Sequence, residues 1–323
     1  MLDGMSFGEL IQDNLTSPAV LAFALGFFAV RVHGNLRLPE QIATFLSTYL
    51  LLAIGIKGGL RLRDAALADM WAPVLATLAL GVITPLVTFF VARRLLDFTT
   101  TNAASLAAHF GSVSAVTFTA AENFARSAGT LDEGFLPALM AILEVPGIVI
   151  ALLLASRQSK ESNLKSAIHE VLTGKSILLL VGGLVIGSLG AESAVAKVEP
   201  FFIDLFPGFL CLFLLDLGTL AAERFSEVRR AGVRLLITAI GLPVIFGIIG
   251  VVLGTLTGLS AGGAMVLGIM AASASYIAAP AAVRVALPDA DLGLSLGVAI
   301  GVTFPFNLIV GIPLLSEISE LIA

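Results

Sequence analysis

The chain is poor in cysteine and in charge. Its 323 residues include a single cysteine, Cys211, so an intramolecular disulfide is excluded and a buried thiol is the default. Charged residues make up 13% of the chain, whereas soluble domains contain about 25%. Hydrophobic residues reach 58%, and the mean hydropathy is +1.02. These proportions indicate an integral membrane protein.

Patterns for common catalytic or energy-coupling chemistry are also missing. The sequence has no nucleotide-binding loop, no cysteine–histidine spacing suited to a metal and no nucleophile elbow. The three histidines, His33, His109 and His169, are far apart in sequence, which disfavours a membrane-embedded enzyme. Without an ATP site, uphill transport must draw on an ion gradient. We therefore expect no enzyme activity and no nucleic-acid partner.

Ten segments are apolar and long enough to cross a bilayer, which requires about 20 mostly apolar residues. One sizeable polar segment, 156–175, divides them into a first five-helix unit at 1–155 and a second at 176–323. The expected spans are 17–33, 40–60, 71–92, 101–124, 134–155, 174–191, 200–222, 232–257, 262–285 and 290–315. The fold class is thus an all-α membrane protein.

Landmarks recur between the two units at a nearly constant distance. Gly58 and Gly218 are 160 positions apart, and Pro146 and Pro305 are 159 positions apart. Chance alignment is the alternative, because 32 glycines are available. Since five helices are an odd number, a duplicated unit must enter the membrane in the opposite sense. We expect a 5+5 inverted repeat, as in many secondary transporters.

The distribution of lysine and arginine predicts the orientation. With the N-terminus outside, thirteen of the 18 basic residues fall on inside ends and loops. Both termini are therefore predicted outside, and the linker at 156–175 in the cytoplasm. The first 16 residues are mildly acidic, so no cleavable signal peptide is expected. We expect a multi-pass protein in the lipid bilayer of a bacterial inner membrane.

Two apolar stretches rich in small and hydroxyl residues, 110–117 and 272–280, lie deep in the fourth and ninth predicted spans. Ser112 and Ser273 are 161 positions apart, as are Ser114 and Ser275. Irregular backbone survives in hydrocarbon only where protein or a water-filled cavity surrounds it. Such stretches in matching halves favour broken crossing helices at a transport site. The alternative is close helix packing by small residues.

A break at these stretches creates a site for a charged ligand. Gly111 lets the backbone leave the helix, and a half-helix that starts at the break presents free N–H groups and a positive dipole end. Serine hydroxyls can complete the coordination of an oxyanion or of a small cation. The predicted substrate-binding residues are Gly111, Ser112, Ser114, Ser273 and Ser275.

Glu144 lies in the middle of the fifth predicted span, where a carboxylate is costly unless it is paired or hydrated. It could bind a cation or exchange the coupling proton, or it could be a protonated residue bonded to a neighbouring helix. Its repeat partner is Thr303. His109 is a candidate proton carrier or a packing histidine. We also expect Lys57 and Asp216 to pair, because both lie beside the matched glycines.

These motifs resemble those of the cyanobacterial-type sodium-dependent bicarbonate permeases, the SbtA-like family, over essentially the whole chain. The matching segments are 54–59 with Arg63, 110–114 with Thr117, 145–146, and 271–275 before Pro280. The resemblance implies core and gate domains, usually a homotrimer, and sodium-coupled bicarbonate uptake where the fourth and ninth helices cross. It also implies a PII-like regulatory partner, although the central linker is shorter here.

One position departs from the family pattern. Tyr276 replaces an aspartate that could help to hold sodium, and a tyrosine hydroxyl is a weaker cation ligand that can donate to an anion instead. No cofactor is expected beyond sodium as a possible coupling ion, held by Glu144, Ser114 and Ser275. The predicted cation or proton site comprises Thr117, Glu144, Tyr276, Thr303, Asn307 and His109.

The function expected from these observations is secondary active transport of bicarbonate into the cell by alternating access. Another anion, or exchange of a cation for a proton on the same fold, is the alternative within transport. A non-transporting membrane sensor is the alternative outside it.

Overall fold

The computed structural model describes residues 12, 14–34, 36–63, 67–156, 164–230 and 232–322. All regular secondary structure in these ranges is helical. The first part of the chain forms α1 Pro18–Arg31, α2 Glu40–Leu62, α3 Leu67–Arg94, α4 Thr100–Gly111, α5 Ala115–Ala128 and α6 Leu136–Ser156. Residues 157–163 of the predicted linker lie outside the described residues.

The second part begins with α7 Leu164–Leu172, α8 Lys175–Leu189 and the short α9 Glu192–Val195. It continues with α10 Phe206–Arg230, preceded by the π-helical turn Pro200–Asp204, and with α11 Val233–Leu256, α12 Ala261–Ala272 and α13 Ala278–Ala286. The last helix, α14, covers Leu292–Ile322. It contains the π-helical segments Ala299–Thr303 and Asn307–Gly311 on either side of Pro305.

Within the described residues, seven helices are long and apolar enough to cross a membrane. They are Glu40–Leu62, Ala68–Arg94, Leu136–Ser156, Ile168–Leu189, Pro200–Phe225, Val233–Leu256 and Leu292–Ile322. The other three predicted spans correspond to the shorter α1 and to two interrupted helices, α4 with α5 and α12 with α13. The chain is therefore a multi-pass membrane protein.

Two helix pairs, α2 with α8 and α1 with α10, pack through glycines. A Cβ atom on Gly55 would lie 2.8 Å from the Cα of Gly183, and one on Gly218 would lie 2.9 Å from the N of Phe27. Such contacts need small residues, because helices in lipid associate by close packing rather than by the hydrophobic effect. We call these four helices the frame.

The remaining long helices pack as a second group, in which α3, α4 and α6 contact one another and α11 packs on α12 and α14. We call this group, which includes the half-helices α5 and α13, the crossing group. It holds both interrupted helices and a large share of the fully buried side chains, among them Phe110, Phe118, Phe246 and Phe304. The fold thus surrounds the two interruptions with protein rather than lipid.

The predicted pairing of Lys57 with Asp216 is wrong. The Asp216 carboxylate accepts a hydrogen bond from the backbone N–H of Leu38 at 2.9 Å, which fixes the loop before α2. The Lys57 Nζ atom lies 4.5 Å from the centroid of the Phe206 ring, a cation–π contact. Matching positions beside two glycines therefore did not bring these side chains together.

Candidate functional site

The first interruption separates α4 from α5. Ser112 and Ser114 have extended backbones, with φ/ψ of −115°/170° and −95°/114°. The Ser114 hydroxyl oxygen accepts from the Thr117 N–H at 3.2 Å and from the Thr117 hydroxyl at 2.9 Å. A serine in this position caps a new helix, because its oxygen satisfies one of the N–H groups left free in the first turn. The break is therefore followed by a properly started half-helix.

The second interruption repeats this arrangement between α12 and α13. Ser273 is extended, with φ/ψ of −84°/168°. The Ser275 hydroxyl oxygen accepts from the Ala279 N–H at 3.3 Å, at the start of α13. Pro280 follows in the first turn, where its missing N–H removes no helical bond. Ser114 is the N-cap residue of α5, whereas Ser275 lies two residues before Ile277, the N-cap residue of α13. The two serines that the sequence pairs thus both bond to a first-turn N–H, but from different positions.

The two interruptions contact each other directly. The Ser114 N–H donates to the Ser273 hydroxyl at 3.0 Å, and the Ser275 N–H donates to the His109 carbonyl at 2.8 Å. The Asn307 side-chain amide donates to the Ala272 carbonyl, also at 2.8 Å. Each broken helix therefore supplies partners for backbone groups that the other break frees, as burial in a membrane protein requires.

Gly111 is needed at the end of α4 because α6 passes very close to it. A Cβ atom on Gly111 would lie 2.9 Å from the Cα of Gly147, and one on Gly147 would lie 2.6 Å from the Cα of Gly111. Contacts of that length between carbon atoms are not seen in real structures, so neither glycine can be replaced without moving a helix. This contact brings α6, and with it Glu144, against the first interruption.

We expect Gly147→Ala to lower the melting temperature in detergent, because overpacking costs about 1–3 kcal/mol. The matched control is Gly182→Ala in α8, where an added Cβ would meet no atom within 4 Å. That control should be neutral or slightly stabilising, since alanine favours a helix over glycine. Equal melting temperatures for the two variants would contradict the close contact of α4 and α6.

A small cavity of about 10 Å³ lies where the interruptions meet. Four predicted residues line it, Ser114, Glu144, Ser275 and Tyr276, and Ser176 of α8 joins them. A volume of that size holds about one water molecule or one bare ion. The apolar part of the lining consists of Leu51, Val113, Ala115, Met140 and Ile277.

Glu144 is the charged group of this cavity and is only 4% exposed. The Ser176 side chain interacts with its carboxylate. None of the residues that line the cavity is basic. A carboxylate at this depth is costly without a positive partner, so the arrangement favours a bound cation or proton.

The Tyr276 hydroxyl is a second polar group in the cavity that a ligand could contact. Its oxygen is buried and has no hydrogen-bond partner within the described part of the chain, although the group is directed towards the Ser114 side chain. The ring packs edge-on against Phe304, with 6.0 Å between the centroids. Buried hydroxyls are normally satisfied, so this one has a free donor and acceptor for a ligand.

Several predicted residues surround the cavity without lining it. The Thr303 hydroxyl donates to the Ala239 carbonyl at 2.8 Å, and a ring nitrogen of His109, Nδ1, lies 2.8 Å from the Ser105 carbonyl oxygen. Within the described residues, the buried atoms His109 Nε2, Ser112 Oγ and Asn307 Oδ1 have no hydrogen-bond partner. These residues surround the crossing, and the three atoms without a partner can form hydrogen bonds to a ligand or to water.

Sequence reasoning missed Ser176. It lies in the first turn of an apolar helix, belongs to no motif and reaches the cavity only because α8 packs beside α6. Among the described residues, no group of three or more His, Cys, Asp or Glu side chains is placed to hold a metal ion. A monovalent cation that shares hydroxyl and carbonyl oxygens requires no such group.

Comparison with known protein families identifies a match over most of the chain. The sequence profile of the Na⁺-dependent bicarbonate transporter superfamily matches residues 18–320. This range includes both interruptions, Glu144 and the whole of the frame. No curated protein sequence matches the chain.

Proposed function

Because the chain belongs to the Na⁺-dependent bicarbonate transporter superfamily, we propose that it takes up bicarbonate with sodium at the crossing of its two interrupted helices. The observation that carries the proposal is the convergence of two half-helices, each with a serine hydroxyl bonded to its first turn, and one buried carboxylate on a single cavity. Neither feature alone would distinguish a transport site from helix packing.

The anion is bound by the start of α5. The N–H groups of Ala115 and Val116 belong to the first turn, so they have no partner inside the helix, and the helix dipole adds a partial positive charge there. Ser114, Ser275 and Tyr276 supply hydroxyl donors. Bicarbonate is larger than a cavity of about 10 Å³, so the cavity must widen when the anion binds.

The cation is bound on the Glu144 side of the cavity. The carboxylate provides the charge, and the Ser275 hydroxyl oxygen has a lone pair available as a neutral ligand. The Ser114 oxygen becomes available when the Thr117 hydroxyl turns away from it. A sodium ion bound between the Glu144 carboxylate and bicarbonate attracts both, which lowers the cost of holding two negative groups in one cavity. The net negative charge that remains faces the positive dipole end of α5. Thr117, Thr303, Asn307 and His109, with Ser112, form the surrounding shell of this site.

The proposed architecture is a ten-helix 5+5 inverted repeat, in which the frame is the gate and the crossing group is the core. Support comes from the pairing of α2 with α8 and of α1 with α10. In the repeat, α1 corresponds to α8 and α2 corresponds to α10, so each of these two contacts is the symmetry equivalent of the other. The two capped interruptions give the same relation. The core rocks against the gate to open the cavity to either side.

The orientation with both termini outside, in a bacterial inner membrane, rests on the distribution of basic residues. Assembly as a homotrimer and contact with a PII-like protein rest on the family resemblance.

Uptake of radiolabelled bicarbonate into proteoliposomes tests the proposal. We expect uptake with sodium outside, and a loss of at least about tenfold when choline replaces sodium, because the Glu144 charge is then uncompensated. Uptake that is driven by an imposed proton gradient and is independent of sodium would instead mean that protons are the coupling ion, with Glu144 as the proton carrier. Vesicles without any bicarbonate flux would contradict the proposed function.

A further inference from the structure

We propose that the seam between α2 and α5 is the route by which the anion reaches the cavity from outside, and that Lys57, Arg61 and Arg126 select negative charge along it. The identity of the anion as bicarbonate rests on the proposed function. The existence and the charge preference of the route do not.

One wall of the seam is a single face of α2. Leu51, Ile54, Lys57 and Arg61 follow one another at spacings of three or four, so they lie along one side of the helix. Leu51 lines the Glu144 cavity, and Leu51 and Ile54 line a second cavity of about 10 Å³ next to it. Arg61 lines a wide cleft of about 730 Å³ at the end of the helix. This face thus leads from the site to the open cleft.

The opposite wall is a face of α5. Ala115 lines both small cavities, Thr119 lines the second, and Arg126 lines the wide cleft. Glu122 lies between Thr119 and Arg126 on the same helix. The two walls therefore connect the same three spaces in the same order, which is the geometry of a closed route rather than of isolated voids.

The middle of the seam has a surplus of positive charge. One oxygen of the buried Glu122 carboxylate accepts from Arg61 at 2.6 Å and from Arg126 at 2.7 Å. Lys57 lies within electrostatic reach of all three groups and over the Phe206 ring. Three cations thus share one carboxylate, which leaves two unbalanced positive charges between the cleft and the cavity.

The cleft itself also contains carboxylates. Asp69 and Asp132 are exposed, so solvent and salt screen them. Glu133 accepts from the N–H and the hydroxyl of Ser260 at 2.6 Å and 2.7 Å, which caps α12. The cleft is therefore lined by both signs of charge, and Lys57, which does not line it, adds positive charge further along the seam.

Topology does not account for these cations. They are among the five basic residues that the predicted orientation leaves on the outside, against the usual bias. Lys57 is also costly to keep inside a span, and its cation–π contact offsets only part of that cost. Attraction of an anion would account for all three, since a local surplus of one sign of charge concentrates the opposite ion.

A purely structural role for the Arg61–Glu122 bridge makes a different prediction. A bridge that only joins α2 to α5 would affect stability but not the charge preference of small molecules in the seam. The test must therefore read charge selection directly.

The experiment introduces Thr119→Cys after Cys211→Ser, which leaves one thiol, and labels it from outside in sodium-containing medium. Thr119 is 2% exposed, so it reacts only when the seam opens. We expect a negatively charged methanethiosulfonate to react at least about tenfold faster than a positively charged one. Adding Lys57→Gln and Arg61→Gln should remove most of that ratio, and high salt should reduce it.

Arg63→Gln is the matched control. It lies two residues beyond Arg61 on the same chain segment, and its guanidinium donates to the carbonyls of Gly187 and Gly190 instead of facing the seam. It should leave the ratio unchanged. Equal reaction rates for the two reagents, no reaction from outside, or a ratio unaffected by Lys57→Gln with Arg61→Gln would overturn the proposal.

Uptake measurements separate this inference from the proposed function. Lys57→Gln should raise the KM for bicarbonate several-fold with little change in kcat, because it weakens capture rather than translocation. Charge-selective labelling without bicarbonate flux would support the anion route and contradict bicarbonate as the substrate. Bicarbonate flux with unselective labelling would support bicarbonate as the substrate and contradict the anion route.

Discussion

Replacing Ser114 and Ser275 together with alanine reduces kcat/KM for bicarbonate uptake by at least about 100-fold, because each hydrogen bond to a charged ligand contributes about 1.5–3 kcal/mol. Both serines line the cavity, and both are almost fully buried. Ser114→Ala also removes the N-cap of α5, which costs a further 0.5–2 kcal/mol, or about 1 on average. Uptake into proteoliposomes over a range of bicarbonate concentrations measures the effect.

Two further variants separate ligand binding from capping. Glycine is nearly as good an N-cap as serine but has no hydroxyl. Ser114→Gly with Ser275→Gly therefore keeps the cap of α5 and loses the Ser275 bond to the Ala279 N–H, so the protein should fold and still fail to transport. Ser188→Ala is the control for loss of a hydroxyl in a span, because Ser188 is half-buried, lies away from the crossing and donates to the Val185 carbonyl of its own helix. Restored uptake in the double glycine variant would mean that the serines only cap the half-helices.

The second large effect is expected for Glu144→Gln, which keeps the shape of the side chain and removes its charge. Glu144 is the one charged residue that lines the cavity. Because a charge in the membrane interior must be balanced, its removal takes away most of the attraction for sodium. We expect the sodium concentration for half-maximal uptake to rise by at least about tenfold, which corresponds to about 1.4 kcal/mol.

Sodium dependence of uptake measures this change, and Glu320→Gln on the exposed end of α14 is the control. An unchanged sodium requirement in Glu144→Gln would move the cation site elsewhere in the protein. Uptake by the wild type could instead be independent of sodium and driven by a proton gradient. Loss of that coupling in Glu144→Gln would then identify Glu144 as the proton carrier.

The local chemistry of the site could be predicted from the sequence. Small residues and serines that recur at matching positions of two apolar spans, with Gly111 before the first break and Pro280 after the second, favour helix interruption over close packing. The 161-residue spacing paired Ser114 with Ser275, and the hydroxyl of each accepts from an N–H in the first turn of a half-helix at the crossing. These features depend on a few neighbouring residues, so local sequence contains them.

Contacts between distant helices could not be predicted in the same way. Ser176 enters the cavity because α8 packs beside α6, and no spacing in the sequence encodes that approach. The pairing expected for Lys57 and Asp216 followed from aligned glycines, whereas their side chains point to Phe206 and to the loop before α2. Alignment of two repeats relates positions by symmetry, and symmetry-related residues need not touch.

The interruption of α14 by two π-helical segments was also unexpected. Pro305 lies between them. A π-helical turn has more residues than an α-helical turn, so it changes which neighbouring helix the following side chains face. As a result the Thr303 hydroxyl bonds to α11, although its repeat partner Glu144 lines the cavity. Equivalent positions in the two units therefore have different surroundings.

The most direct test is a pair of cryo-electron microscopy maps, one in sodium bicarbonate and one in choline chloride. The account predicts ligand density between Ser114 and Ser275, in contact with the first turn of α5 and with Glu144, in the bicarbonate map alone. Identical maps at the crossing, or bicarbonate-dependent density far from both interruptions, would contradict it.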